Sequence, residues 1–101
     1  MIKIVVKNDV ITISGHANYD EYGKDIVCSA VSSTVITTIN AILSIDKNSI
    51  EVNDNNPLTI KILKHSEVVD KLIKNMINLL TELQEEYKDN IDIRRCADDE
   101  V

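Results

Sequence analysis

The sequence predicts an α+β fold: a two-layer sandwich in which a mostly antiparallel sheet carries two helices on one face. Three observations predict it. Short stretches alternate aliphatic and polar residues, two long stretches carry apolar residues at helical spacing, and the two kinds follow one another in the order β-β-α-β-β-α-β. At 101 residues the chain fits a single domain over 1–101 and excludes a two-domain enzyme.

Ile2, Ile4 and Val6 alternate with Lys3, Val5 and Lys7, and Val10 to Ser14 repeats the period of two. Asn8 and Asp9 between them tolerate left-handed backbone angles, so strand, tight turn and strand follow. Gly15 to Lys24, GHANYDEYGK, has no apolar period and holds both glycines of the chain, which marks a loop. Asp25 suits an N-cap. The run from Ile26 to Ile45 is too long for a buried strand, so length decides for a helix with Val27, Val31, Val35, Ile39 and Ile42 on its inner face. Ile50 and Val52, a turn through Asp54 to Pro57, then Leu58, Ile60 and Ile62 form a second hairpin. From Ser66 to Tyr87, Val69, Leu72, Ile73, Met76, Leu79, Leu80 and Leu83 recur at three-and-four spacing, with Glu67 and Asp70 near the start where the helix dipole favours anions. Ile91 and Ile93 then alternate with Asp92 and Arg94, a short last strand before the tail DDEV.

Composition narrows the partners. There is no Trp or Phe, and three tyrosines give little from which to build a base-stacking surface. A net charge of -6 argues further against nucleic acid, whose affinity comes largely from Lys and Arg on phosphates, and favours a basic partner. The N-terminus MIKIVVKNDVITI lacks the apolar core of a signal peptide, so a cytoplasmic protein is expected. Ile26 to Ile45 is twenty residues without a charge, the length of a membrane span, yet eight of them are Ser, Thr or Asn, which argues for no membrane contact. Cys28 and Cys96 lie far apart in a chain without secretory signals, where thiols stay reduced.

A cysteine nucleophile needs a stabilised thiolate and a neighbouring base. Cys28 falls in the first turn of the first helix, where unpaired N–H groups and the dipole stabilise negative charge and suit a developing oxyanion. His16 stands twelve residues earlier, before a loop that leads back to that helix. The periodicity also places Cys28 near the centre of the apolar face, as a core residue would be. Asp25 and Ser32 project beside it, at three before and four after, forming a polar cluster; alone, the first is an N-cap and the second bonds back to a helix carbonyl. Gly15 and Gly23 let the loop turn sharply, and Tyr19 and Tyr22 either line a groove or cover the core edge. His65 reads as a surface residue. A zinc site from His16, Cys28, His65 and Cys96 lacks any close ligand pair, so no metal is expected.

The segment GHANYDEYGKDIVCSAVS, Gly15 to Ser32, resembles the signature of the ribosomal-processing cysteine protease family, Prp: Gly-His-Ala, a short loop, Gly-x-Asp-Ile-Val-Cys and Ala-Val-Ser. The resemblance extends along the chain in element order and length. It implies a catalytic dyad of Cys28 and His16, support from Asp25 and Ser32, and a mobile loop over the site from Ala17 to Lys24. It also implies no cofactor, a homodimer, and a ribosomal protein precursor as substrate, the large-subunit protein numbered twenty-seven, which loses a short N-terminal extension. Ser29 stands where the family commonly has Ala, and Cys96 has no place in the signature. Without Phe or Trp, aliphatic residues and the two loop tyrosines are left to build any hydrophobic substrate pocket. Two rivals stand beside the protease: a non-catalytic ribosome-associated binding protein with Cys28 in its core, and a thiol redox sensor using Cys28 and Cys96.

Overall fold

The computed structural model describes residues 1–21 and 25–96. Seven elements appear in the expected order: β1 (Ile2–Lys7), β2 (Val10–Ser14), α1 (Ile26–Ile45), β3 (Ile50–Asn53), β4 (Leu58–Ile62), α2 (Glu67–Glu86) and β5 (Ile91–Cys96). The β1–β2 hairpin turns at Asn8, which takes a left-handed φ of 55°. Asp25 caps α1, and the hydroxyl of Ser66 caps α2 by accepting from the Val69 N–H at 3.2 Å.

The five strands lie in the order β3-β4-β2-β1-β5. Neighbours are antiparallel except β1 and β5, which run parallel with Ile2 beside Ile91 and Lys7 beside Cys96. Each helix is therefore a crossover. The chain leaves β2, passes through α1 and returns beyond β4; it leaves β4, passes through α2 and returns beyond β1. The last strand is longer than the Ile91–Arg94 alternation suggests, because all six residues of β1 are available to pair with it.

One face of the sheet and both helix stripes share a single core. Ile2, Ile4, Ile11, Ile50, Ile60 and Ile91 come from the strands, Val27, Val31, Val35, Ile39 and Ile42 from α1, and Val69, Ile73, Met76 and Leu80 from α2. By length and composition α1 could cross a membrane, but its inner stripe is buried on the sheet, as in a core helix. Emptying such a position, for instance by Ile42→Ala, costs about 2–5 kcal/mol in a packed interior. The consequence of this topology is local: the end of β2, the start of β1, the β3–β4 turn and the first turn of α1 meet at one end of the sheet.

Candidate active site

The chain leaves β2 at Gly15, where φ is +83° and a Cβ would collide with the carbonyl oxygen of Met1. Both the conformation and the lack of space require glycine. His16 follows, exposed, and then Ala17, whose side chain is buried in the core at 1% exposure. The Ala17 N–H donates to Cys28 Sγ at 3.2 Å, and the Ala17 carbonyl accepts from Asn90 Nδ2 at 2.9 Å. Asn18 reverses the chain with a φ of 58°. The N–H groups of Tyr19 and Asp20 then donate to Asp25 Oδ2 at 2.9 and 3.3 Å.

The other oxygen of Asp25 accepts from the N–H groups of Val27 and Cys28 at 2.9 and 3.0 Å. One buried carboxylate thus caps α1 and staples the loop to it. Burial works to raise its pKa; the backbone donors, led by Cys28 and followed by Tyr19, Asp20 and Val27, outweigh that and hold the carboxyl below the usual aspartate range.

Between this loop, the start of α1 and the β3–β4 turn opens a cleft of about 840 Å³. His16, Gly15, Asp25, Cys28 and Ser32, which the sequence singles out, all line it. Ile2, Ile13, Val31 and Leu58 give it an aliphatic lining, as a chain without Phe or Trp requires. Cys28 is half-buried, packing against the core while facing the cleft, so its place on the apolar stripe and its access to solvent coexist. Among the described residues its sulfur bonds to Ala17 and not to the His16 ring. Ser32 is exposed, and the back-bonding to a helix carbonyl expected of it is made instead by Thr34 to Ala30 and Thr38 to Thr34, at 2.8 and 2.9 Å.

Two expectations change and one open choice is resolved. The amides of Val27, Cys28 and Ser29 are not open to an oxyanion as arranged, because Val27 and Cys28 already donate to the Asp25 carboxylate and Ser29 to the Asp25 carbonyl at 3.1 Å. Tyr19 does not line the cleft: its ring stands edge-on to Tyr87, centroids 5.4 Å apart, because Asn18 reverses the chain and Asp25 holds the Tyr19 amide. Ala17 serves through its backbone while its methyl fills the core. Tyr22, Gly23 and the end of the loop at Lys24 lie outside the described residues.

Two features escaped the sequence reading. The turn Asp54-Asn55-Asn56 forms part of the cleft wall, and Asn90, before β5, reaches the His16–Ala17 segment. Locally both read as ordinary turn residues; only the strand order brings them to the site. Cys96 lies at the far end of β5, opposite Lys7, whereas Ile2 at the other end of the ladder lines the cleft. Five residues of strand separate those ends by about 16 Å, well beyond the reach of a disulfide. An intramolecular Cys28–Cys96 redox pair is therefore excluded in this fold.

A family model described as cysteine protease Prp matches residues 1–92. The chain belongs to the Prp family of cysteine proteases. The ribosomal processing cysteine protease Prp of Staphylococcus aureus is 32% identical over 87 residues, covering 82% of this chain and 81% of the relative. That of Mycoplasma pneumoniae is 32% identical over 84 residues, covering 83% and 81%. A crystal structure of an essential ribosomal processing protease Prp from S. aureus, with a covalently linked product peptide, superposes with a TM-score of 0.88 at 25% identity, covering 95% of this chain and all of the other. Membership of the Prp family makes this chain a cysteine endopeptidase, and the binding-protein alternative gives way to it.

Proposed function

We propose that this protease removes the short N-terminal extension of the large-subunit ribosomal protein numbered twenty-seven, in the cytoplasm, as a homodimer, with Cys28 as nucleophile and His16 as its base. The observation that carries the reading is the half-buried Cys28 thiol, which opens onto a cleft shared with His16 and accepts the Ala17 N–H. The covalently linked product peptide described for the S. aureus protein accords with a thiol that forms an acyl enzyme.

The steps are those of a thiol peptidase. His16 takes the Cys28 proton, and the thiolate attacks the scissile carbonyl, forming a C–S bond and an oxyanion. As the intermediate collapses the C–N bond breaks, and His16 returns its proton to the leaving amine. Water then adds to the thioester, and the thiolate departs. A cleft with an aliphatic lining suits a peptide that carries apolar side chains. The net charge of -6 draws a basic ribosomal substrate toward the enzyme, an effect that fades with salt.

The test is mass spectrometry of a peptide spanning the extension junction, incubated with the wild type, Cys28→Ala and His16→Ala. Cleavage at one bond by the wild type, with Cys28→Ala silent and His16→Ala slower by about 10²–10⁴-fold, is the expected result. Cleavage by Cys28→Ala would remove that thiol from the mechanism, and an intact peptide with all three would remove the substrate.

A further inference from the structure

A thiol peptidase needs a donor for the oxyanion, and the nucleophile's own amide and those on either side of it are already engaged. Val27, Cys28 and Ser29 donate within the cap of α1, two of them to a carboxylate. Releasing either of those two would uncover a buried anion that four N–H groups now satisfy. The N–H that faces the sulfur comes from the loop after β2, from Ala17, at 3.2 Å.

What aims that amide is distant in sequence. Ala17 is fixed on either side of the N–H it presents: its methyl lies in the core, and its carbonyl, in the next peptide unit, receives Asn90 Nδ2 at 2.9 Å. The amide nitrogen of Asn90 must be the atom facing that carbonyl, since its oxygen would set two acceptors against each other. Asn90 is itself held by the main chain: its N–H donates to the Tyr87 carbonyl at 2.9 Å, and its carbonyl accepts from the Ile2 N–H at 2.8 Å. Two backbone bonds thus anchor Asn90 at the corner between α2 and β5, beside the first residue of β1.

We propose that Asn90 is a positioning residue for peptide cleavage: by clasping the Ala17 carbonyl it aims the Ala17 N–H at the Cys28 sulfur and then at the oxyanion formed on attack. This rests on Cys28 being the nucleophile. In the resting site the amide donates to sulfur. When the C–S bond forms, the carbonyl π pair moves to oxygen beside that sulfur, and the same N–H turns to the new anion. On collapse the pair returns, the C–N bond breaks and the leaving nitrogen takes the proton held by His16. A donor that reaches the substrate oxygen only as charge develops there raises kcat and leaves substrate affinity alone. Asn90 also fixes the backbone next to His16, so both partners of the thiol depend on one side-chain amide.

The experiment compares Asn90→Ala and Asn90→Asp with the wild type in three measurements: kcat and KM on the junction peptide, thermal stability, and amide hydrogen exchange at Ala17. Asn90→Asp keeps the shape and replaces the donor with an acceptor. The expected result is a fall in kcat of about tenfold or more in both variants with KM within about twofold. Ala17 exchange should rise about tenfold, and the Val27 and Cys28 amides, held by Asp25, should keep their wild-type rates. A variant with wild-type kcat and faster Ala17 exchange would overturn the catalytic role, and one with both unchanged would overturn the clasp itself. If Asn90→Ala proves unstable, Asn90→Asp carries the test. Cleavage by Cys28→Ala would instead strike the nucleophile assignment, a failure distinguishable because the exchange of Ala17 reads the clasp without any substrate.

Discussion

The two helices of this protein begin in chemically similar neighbourhoods and put them to opposite uses. Before α2, His65 Nδ1 meets Asp70 at 2.7 Å and Nε2 meets Asp9 at 2.8 Å, so both ring nitrogens are engaged by carboxylates. Before α1, the nearby carboxylate is Asp25, and it spends both oxygens on backbone amides, leaving the His16 ring to the cleft. Asp70 is thus an ion partner where Asp25 is a scaffold. A histidine gripped by two carboxylates has both ring nitrogens engaged and ties α2 to the β1–β2 turn. His16, by contrast, follows a backbone fixed by its neighbours and lines the cleft with its ring unengaged by either Asp25 oxygen.

The largest effect expected from breaking this contrast comes from Asp25→Asn. Its remaining oxygen still caps Val27 and Cys28, but an amide group then faces the Tyr19 and Asp20 N–H groups, donor against donor. The helix should persist while the loop loses its staple. We expect kcat/KM to fall about 100-fold with a modest loss in Tm, since misplacing the site by about an ångström has that order of effect. Asp25→Ala should lose both, with a clearly larger fall in Tm. Equal Tm losses for the two variants, with activity retained in Asp25→Asn, would make Asp25 a helix cap and nothing more.

Gly15→Ala tests the exit from β2. An added methyl meets the Met1 carbonyl at a left-handed φ, so either the start of β1 or the His16 segment must move. A loss of about 2–3 kcal/mol in urea unfolding is expected, together with impaired cleavage. A loss below about 0.5 kcal/mol would show that the exit is pliant and that His16 is less firmly placed than its neighbours suggest.

Much of this was legible beforehand, for identifiable reasons. Period-two alternation at Ile2–Lys7 and three-and-four spacing from Val69 to Leu83 are local consequences of strand and helix geometry, so elements and core could be read directly. Asp25 as a cap and Ser32 one helical turn beyond Cys28 were also accessible from spacing, whereas the meeting of His16 with them on one cleft was implied only by the family resemblance. The strand order was not, since nothing local tells β5 to lie against β1. Whatever depends on that order stayed hidden: Asn90 at Ala17, the Asp54–Asn56 wall, and the two carboxylates on His65, one of them 56 positions away. Tyr19, for which the sequence left two places open, could not be settled for a different reason. Its direction is set by a left-handed Asn18 and a hydrogen bond to Asp25, and neither is encoded in hydrophobic period.

The smallest effect expected is also the one that sharpens the contrast between the two histidines. Hydrogen bonding to Asp70, then to Asp9, outweighs burial and raises the His65 pKa above its ordinary value near 6.5. A raised folded value means that the folded protein holds this proton more tightly than the unfolded chain does. The resulting stability is complete below about pH 6.5 and is lost as pH rises through the raised folded value. Because the groups are exposed, the effect is small: a few degrees in Tm at most. His65→Gln should therefore lie below the wild type at pH 5.5 and converge with it as pH rises through the raised folded value, with cleavage kinetics unchanged at every pH where both are folded. A stability gap that widens with pH would reverse the sign and refute the ion-pair account. A change in kcat would mean that α2, through Tyr87 and Asn90 at its far end, transmits strain to the thiol, and the two helix starts would then be coupled rather than merely alike.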